Sequence, residues 1–136
     1  MITAIFLLLG VIAATPLLVL SSRLNYKSMQ DLLGLCLVIA AVIYLIFSLI
    51  WGNVSWFFIE LSGVAIYATF YWLANKHSVI WLAVGWLLHP LWDVGLHLFG
   101  AGGAIAPAAY VVACMAFDII IAWYIFYRIK LERPNN

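Results

Sequence analysis

The chain has 136 residues, of which 68% are hydrophobic and only 8% are charged. Soluble domains carry about 25% charged residues, and a globule of this size has too much surface to hide so many apolar side chains. This composition excludes a soluble domain and predicts a lipid bilayer as the partner. The sequence has no basic patch large enough to follow a phosphate backbone, so we expect no nucleic-acid partner.

Five apolar stretches follow one another along the chain, each close to the length of about 20 residues that a membrane helix needs. The first has no basic segment in front of it, so we expect a retained helix and not a cleaved signal peptide. Short polar or glycine-rich segments separate the stretches. We predict an all-α membrane protein, a single bundle over residues 1–136 with transmembrane helices at about 2–20, 32–51, 54–73, 78–99 and 106–127.

The basic residues predict how this bundle is oriented. Cytoplasmic loops of membrane proteins collect Lys and Arg. With five spans, all six basic residues fall on one side of the membrane, whereas four or six spans would divide them. We therefore expect the N-terminus outside and the C-terminus in the cytoplasm, in the cytoplasmic (inner) membrane. The residues that carry this prediction are Arg23, Lys27, Lys76, Arg128, Lys130 and Arg133.

Five ionisable residues lie within the apolar spans, although a charged group at bilayer depth costs about 2.5–3.5 kcal/mol. On the fourth helix, His89, Asp93 and His97 are spaced i, i+4 and i+8, so they form one stripe on one face. Glu60 lies on the third helix and Asp118 on the fifth. Residues of this kind face the bundle interior and typically mark an ion, proton or substrate site.

Three residues on the fourth helix indicate its local shape. Pro90 lacks a backbone donor, which leaves the carbonyl of Trp86 free and predicts a kink at this point. Gly85 and Gly95 carry no side chain, so we expect a neighbouring helix to approach closely at both positions.

The depths of the ionisable residues predict which of them meet. At about 1.5 Å of rise per residue, Asp93 and Glu60 both lie roughly 9 Å below the outer ends of their helices. His89 lies roughly 15 Å deep and Asp118 roughly 18 Å deep, whereas His97 is near the outer surface. We therefore expect Glu60 to meet Asp93 and His97, and Asp118 to meet His89, in one site in the outer half of the bundle.

Mixed histidine and carboxylate ligands suit a divalent metal such as Zn, Mn or Fe. His89 and His97 are about 12 Å apart along a regular helix, so one ion cannot bind both. Two adjacent ions are an alternative. Haem is disfavoured because both histidines lie on one helix. The two ligand sets that remain are Glu60, Asp93 and His97, or His89, Asp93 and Asp118.

Several functions fit these residues. The first is a small metal-binding membrane protein, either an enzyme that acts on a lipid-soluble substrate or a metal handler. The second is an accessory or structural subunit of a larger membrane complex, since the chain has little mass outside the membrane. The third is a proton or ion pathway, although no complete polar path is visible. The ionisable residues alone also fit a hydrogen-bonded structural core, and a bundle of this size often forms homo-oligomers.

Two motifs in the last two helices carry a family resemblance. The first is Gly85-Trp86-Leu87-Leu88-His89 with Trp92-Asp93 and His97, and the second is Cys114 with Phe117-Asp118 and Ala122-Trp123. They resemble a bacterial integral-membrane family known only as domain of unknown function 6010. The resemblance implies that His89, Asp93, His97 and Asp118 belong together as a set. It also implies that one ligand is missing here, because members often have paired histidines where this chain has Leu96-His97.

Overall fold

The structure, a computed structural model, describes residues 2–100 and 102–132. Within that part of the chain there are five α-helices, each long and apolar enough to cross a membrane, and no strands. The predicted all-α class and the number of helices are therefore confirmed. Arg133, one of the six basic residues, lies outside the described residues. The helices are α1 (Ile2–Ser22), α2 (Tyr26–Trp51), α3 (Val54–Lys76), α4 (Ile80–Phe99) and α5 (Ala108–Glu132), with a short 3-10 turn at Gly102–Ala104.

Asparagine side chains fix where α2 and α3 begin. The side chain of Asn25 accepts a hydrogen bond from the backbone N–H of Ser28, and Asn53 accepts one from Trp56 in the same way. Because the Asn25 cap precedes the apolar stretch, α2 starts at Tyr26 and not at the predicted residue 32. Hydrophobic length locates the part of a helix that fits a bilayer, whereas the helix itself continues into the polar region.

The helices are neighbours in the order α1, α5, α4, α3, α2. Each packs extensively on the next in this order, but α1 and α2 touch little although a short turn joins them. A gap is therefore left between α1 and α2. The outer surface is covered with large apolar side chains, as contact with lipid tails requires. Exposed examples from four helices are Ile5, Ile46, Phe58 and Leu91.

Glycines allow close helix contacts at two places. A Cβ on Gly10 would lie 2.1 Å from the carbonyl oxygen of Ala113, so α1 and α5 meet backbone to backbone. A Cβ on Gly85 would lie 2.8 Å from Leu37 and 3.0 Å from Phe70, as the sequence predicts. The same prediction for Gly95 is wrong, because nothing lies within 4 Å of that position. Ten residues turn a helix by about 1,000°, which is not a whole number of turns. Gly85 and Gly95 therefore face different directions.

Polar contacts join the α1–α2 turn, the end of α3 and the end of α5. Arg128 donates hydrogen bonds to the carbonyl oxygens of Ser21 and Leu24, and Lys27 bonds the side chain of Asn75. These contacts place the described basic residues at one end of the bundle, called here the basic end. The α2–α3 turn and the α4–α5 connection form the opposite end.

Candidate metal centre inside the bundle

A buried histidine lies between two carboxylates in the middle of the bundle. Nδ1 of His89 is 2.9 Å from Oδ2 of Asp118, which is a hydrogen-bond distance, and 3.5 Å from Oδ2 of Asp93. The exposed fraction is 1% for His89, 3% for Asp93 and 2% for Asp118. One ligand atom from each residue can be chosen such that all three lie within 4.8 Å of one another.

Two helices supply these three side chains. His89 and Asp93 are four residues apart on α4, which continues unbroken through Pro90, so they project from the same face. Asp118 reaches the same point from α5, which packs closely on α4. The contact between His89 and Asp118 confirms the pairing that their depths predicted.

Aromatic rings hold the imidazole of His89 in place. The ring of Tyr67 meets it edge to face with the ring centroids 4.9 Å apart, and the ring of Tyr44 does so at 6.0 Å. The hydroxyl of Tyr67 donates to the backbone carbonyl of Leu88, 3.3 Å away. Rings from α2 and α3 therefore restrict the orientation of a side chain on α4.

Several buried polar atoms around Asp93 have no hydrogen-bond partner among the described residues. Both carboxylate oxygens of Asp93 are buried and unpaired, as are the hydroxyl of Tyr44 and Nδ1 of His97. A buried polar atom without a partner costs about 1–3 kcal/mol, and a charged group costs more. Such atoms in one place make this part of the bundle a candidate binding site.

A small cavity adjoins the unpaired atoms. Tyr44, Glu60, Asp93 and His97 supply its polar walls, and Ile105 contributes to the apolar ones. A water-sized sphere fits inside this cavity, and its centre can move within a volume of about 10 Å³. That volume is close to the minimum that one water molecule needs. The cavity has room for one water or one small cation beside Asp93.

The site contains more acidic groups than fixed positive charges. A neutral imidazole with two ionised carboxylates carries a charge of −2, and Glu60 is buried nearby. All Lys and Arg residues lie outside the middle of the spans, and those that the structure describes are at the basic end. Uncompensated buried charge is very costly. A divalent cation, or protons, must therefore balance the carboxylates.

The predicted ligands divide into two groups in the structure. His89, Asp93 and Asp118 lie close enough together to bind one ion, which is the second of the two predicted sets. Glu60 and His97 lie on the small cavity beside Asp93, as the depth comparison indicated, but outside the three-residue group.

The sequence reading missed Tyr44 as part of the site. Its hydroxyl is a neighbour of Asp93, although no hydrogen bond of ordinary geometry joins them. The available signal was depth, because Tyr44 lies seven residues before the end of α2 and Asp93 six residues before the end of α4.

Comparison with known proteins identifies a family but no activity. The model of a family of unknown function, DUF6010, matches residues 5–130, which is most of the chain. No curated protein and no solved structure matches.

Proposed function

This chain belongs to the DUF6010 family, and we propose that it is a membrane protein that binds one divalent metal ion through His89, Asp93 and Asp118. The observation that supports this best is the buried group of three ligand atoms within 4.8 Å of one another. Its charge supports the same conclusion, because one divalent cation balances two carboxylates and a neutral histidine. A divalent cation would also be a partner for the unpaired oxygens of Asp93.

The donor set favours Zn, Mn or Fe(II) over calcium, since imidazole nitrogen is a poor ligand for hard cations. Three protein ligands leave a coordination position open, as catalytic metal sites do and structural zinc sites do not. The cavity beside Asp93 is where a water molecule would lie, and Glu60, which also lines this cavity, would act as its base. We infer an enzyme that acts on a lipid-soluble substrate, in preference to a metal store.

The same proposal includes an orientation. The basic end faces the cytoplasm of a bacterial inner membrane, the N-terminus is outside, and the metal site lies nearer the outer surface. A reporter enzyme that is active only in the cytoplasm, fused after residue 136, should be active. Activity of the same reporter at the N-terminus, with none at the C-terminus, would reverse the orientation.

The metal proposal is tested by elemental mass spectrometry on protein purified in detergent. Wild type should contain close to one equivalent of a transition metal, and His89→Ala and Asp118→Asn should lose it. His77→Ala is the matched control, because His77 is exposed just after α3, away from the site. Folded wild type without metal would contradict the proposal.

The main alternative is a structural core that shares protons in place of a metal. The 2.9 Å contact between His89 and Asp118 favours it, because the proton on Nδ1 that would make this bond must leave before Nδ1 can bind a metal. Metal-free but folded wild type would select this alternative. Co-purification with other subunits at fixed stoichiometry would instead favour an accessory subunit.

A further inference from the structure

A second cavity adjoins the site from the side of the bundle. It is a groove between α1, α2 and α5, with a volume of about 440 Å³, within the range of about 300–1,000 Å³ that is usual for small-molecule sites. Its walls are apolar. Leu9, Ala13 and Leu17 line it from α1, and Ile39, Ala40 and Ile43 line it from α2.

The groove exists because α1 packs mainly on α5 and touches α2 little. The backbone contact at Gly10 and Ala113 fixes α1 against α5, whereas α1 and α2 touch little. Three of the lining residues of α1 lie four positions apart, from Leu9 through Ala13 to Leu17, which corresponds to about 12 Å along the helix. The groove is therefore elongated and runs parallel to the helices.

The floor of the groove is part of the candidate metal centre. Asp118 lines the groove and is the residue whose Oδ2 lies 2.9 Å from His89. Cys114, one turn earlier on α5, and Trp86 lie beside it. The indole N–H of Trp86 already donates to the carbonyl of Leu33, so the indole N–H is not available to a ligand. Asp118 is the charged group of the lining.

We propose that this groove binds a single-chain lipid, with the hydrocarbon chain along α1 and α2 and a hydroxyl group at Asp118. Apolar walls that face a bilayer suit a hydrocarbon chain. A carboxylate has about four acceptor positions, so Asp118 can accept from a ligand hydroxyl as well as from His89. This inference names the substrate class of the proposed metal site and rests on that proposal for the reaction, but not for binding.

The groove is tested with a long-chain alcohol that carries a photoreactive diazirine in its chain, added to protein in phospholipid nanodiscs. Labelling should concentrate on the groove segments of α1, α2 and α5. Ala40→Trp places an indole in the groove and should reduce that labelling about tenfold. Ile46→Trp, which points to lipid on the same helix outside the lining, should leave it unchanged.

Competition with unlabelled compounds separates the contribution of the hydrocarbon chain to binding from that of the hydroxyl group. An unlabelled alcohol should displace the probe at lower concentration than the alkane of equal length, and Asp118→Leu should remove that difference. Equal competition by the alkane in wild type would overturn the role of Asp118. Labelling spread evenly over all lipid-facing helices, and unaffected by Ala40→Trp, would overturn the groove itself.

Metal content is measured on the same samples so that the two proposals fail separately. Ala40→Trp should retain its metal, and His89→Ala should lose its metal while it keeps groove labelling. Metal without groove labelling in wild type would overturn only the lipid site. Groove labelling in a metal-free wild type would overturn the metal site and leave lipid binding in place.

Discussion

The protein has two clusters of polar side chains, and they are built in opposite ways. At the basic end, the carboxylate of Asp31 accepts from Lys27 at 2.8 Å and from the hydroxyl of Tyr71 at 3.1 Å. In the middle of the bundle, Asp93 has no hydrogen-bond partner among the described residues and shares one histidine with Asp118.

This difference shows what each cluster requires from outside the protein. The basic end is exposed enough for water to solvate any remaining charge, and its acid and base are paired. The central cluster is buried, and no lysine or arginine among the described residues lies beside it, so its carboxylates need a cation or protons for charge balance. A site where buried carboxylates lower the stability of the protein is the place where a bound cation stabilises it most.

The largest expected effect follows removal of one member of the central cluster. Asp118→Ala leaves His89 without its 2.9 Å partner in a fully buried position. Breaking a buried pair in this way destabilises proteins by about 3–5 kcal/mol. Thermal unfolding in detergent should show a large drop in Tm, together with loss of metal. The control is Ile119→Ala, the neighbouring residue with a lipid-facing side chain, and an equal drop in both variants would contradict the account.

A pair of glycine substitutions compares packing at the two sides of the bundle. Gly10→Ala places a Cβ 2.1 Å from the carbonyl oxygen of Ala113 and should destabilise the protein by about 1–3 kcal/mol. Gly95→Ala meets nothing within 4 Å and should be neutral or stabilising by up to about 1 kcal/mol, because alanine is the better helix former. Unfolding in detergent measures both. Equal effects at the two positions would show that α1 is not packed on α5 as described.

The hydroxyl of Tyr44 tests whether the unpaired atoms belong to the metal site. Tyr44→Phe keeps the ring that packs against His89 but removes the hydroxyl next to Asp93. Groups that support a metal ligand from outside the coordination sphere typically contribute 10–100-fold to metal affinity. Metal titration should show a loss of about tenfold with little change in Tm. Tyr127→Phe, on an exposed tyrosine, is the control, and unchanged affinity in Tyr44→Phe would place that hydroxyl outside the site.

The smallest effect is expected at the basic end. Lys27 and Asp31 form an ion pair with side chains 63% and 40% exposed, and exposed pairs contribute only about 0–1 kcal/mol. Lys27→Ala should therefore change Tm little and leave the metal content unchanged. A loss of stability close to that of Asp118→Ala would erase the distinction between the two clusters.

The helices and the central pairing were predictable because they depend on properties that a sequence states directly. Apolar length gives five spans, and counting residues from the helix ends brings His89 and Asp118 to similar depths. The same count would have included Tyr44 at the level of Asp93. These predictions need no knowledge of which helices are neighbours.

The groove, and the wrong prediction of a close helix contact at Gly95, both depend on which helices are neighbours. The sequence does not state this order. In a bilayer every lipid-facing surface is apolar, so the pattern of apolar residues does not show which face packs on protein. Gly10 and Gly95 look alike in sequence, yet one meets a backbone oxygen and the other meets nothing. Only the packed structure shows that α1 lies on α5 and leaves a groove whose lining includes Asp118.

The most direct test of the central claim is X-ray absorption spectroscopy at the metal edge of the purified, folded protein. The account predicts a first coordination shell of nitrogen and oxygen at about 2.0–2.2 Å for zinc, with one imidazole and no sulfur, that disappears in His89→Ala. Absence of metal, a shell that contains sulfur, or a spectrum that His89→Ala leaves unchanged would contradict a metal site at His89, Asp93 and Asp118.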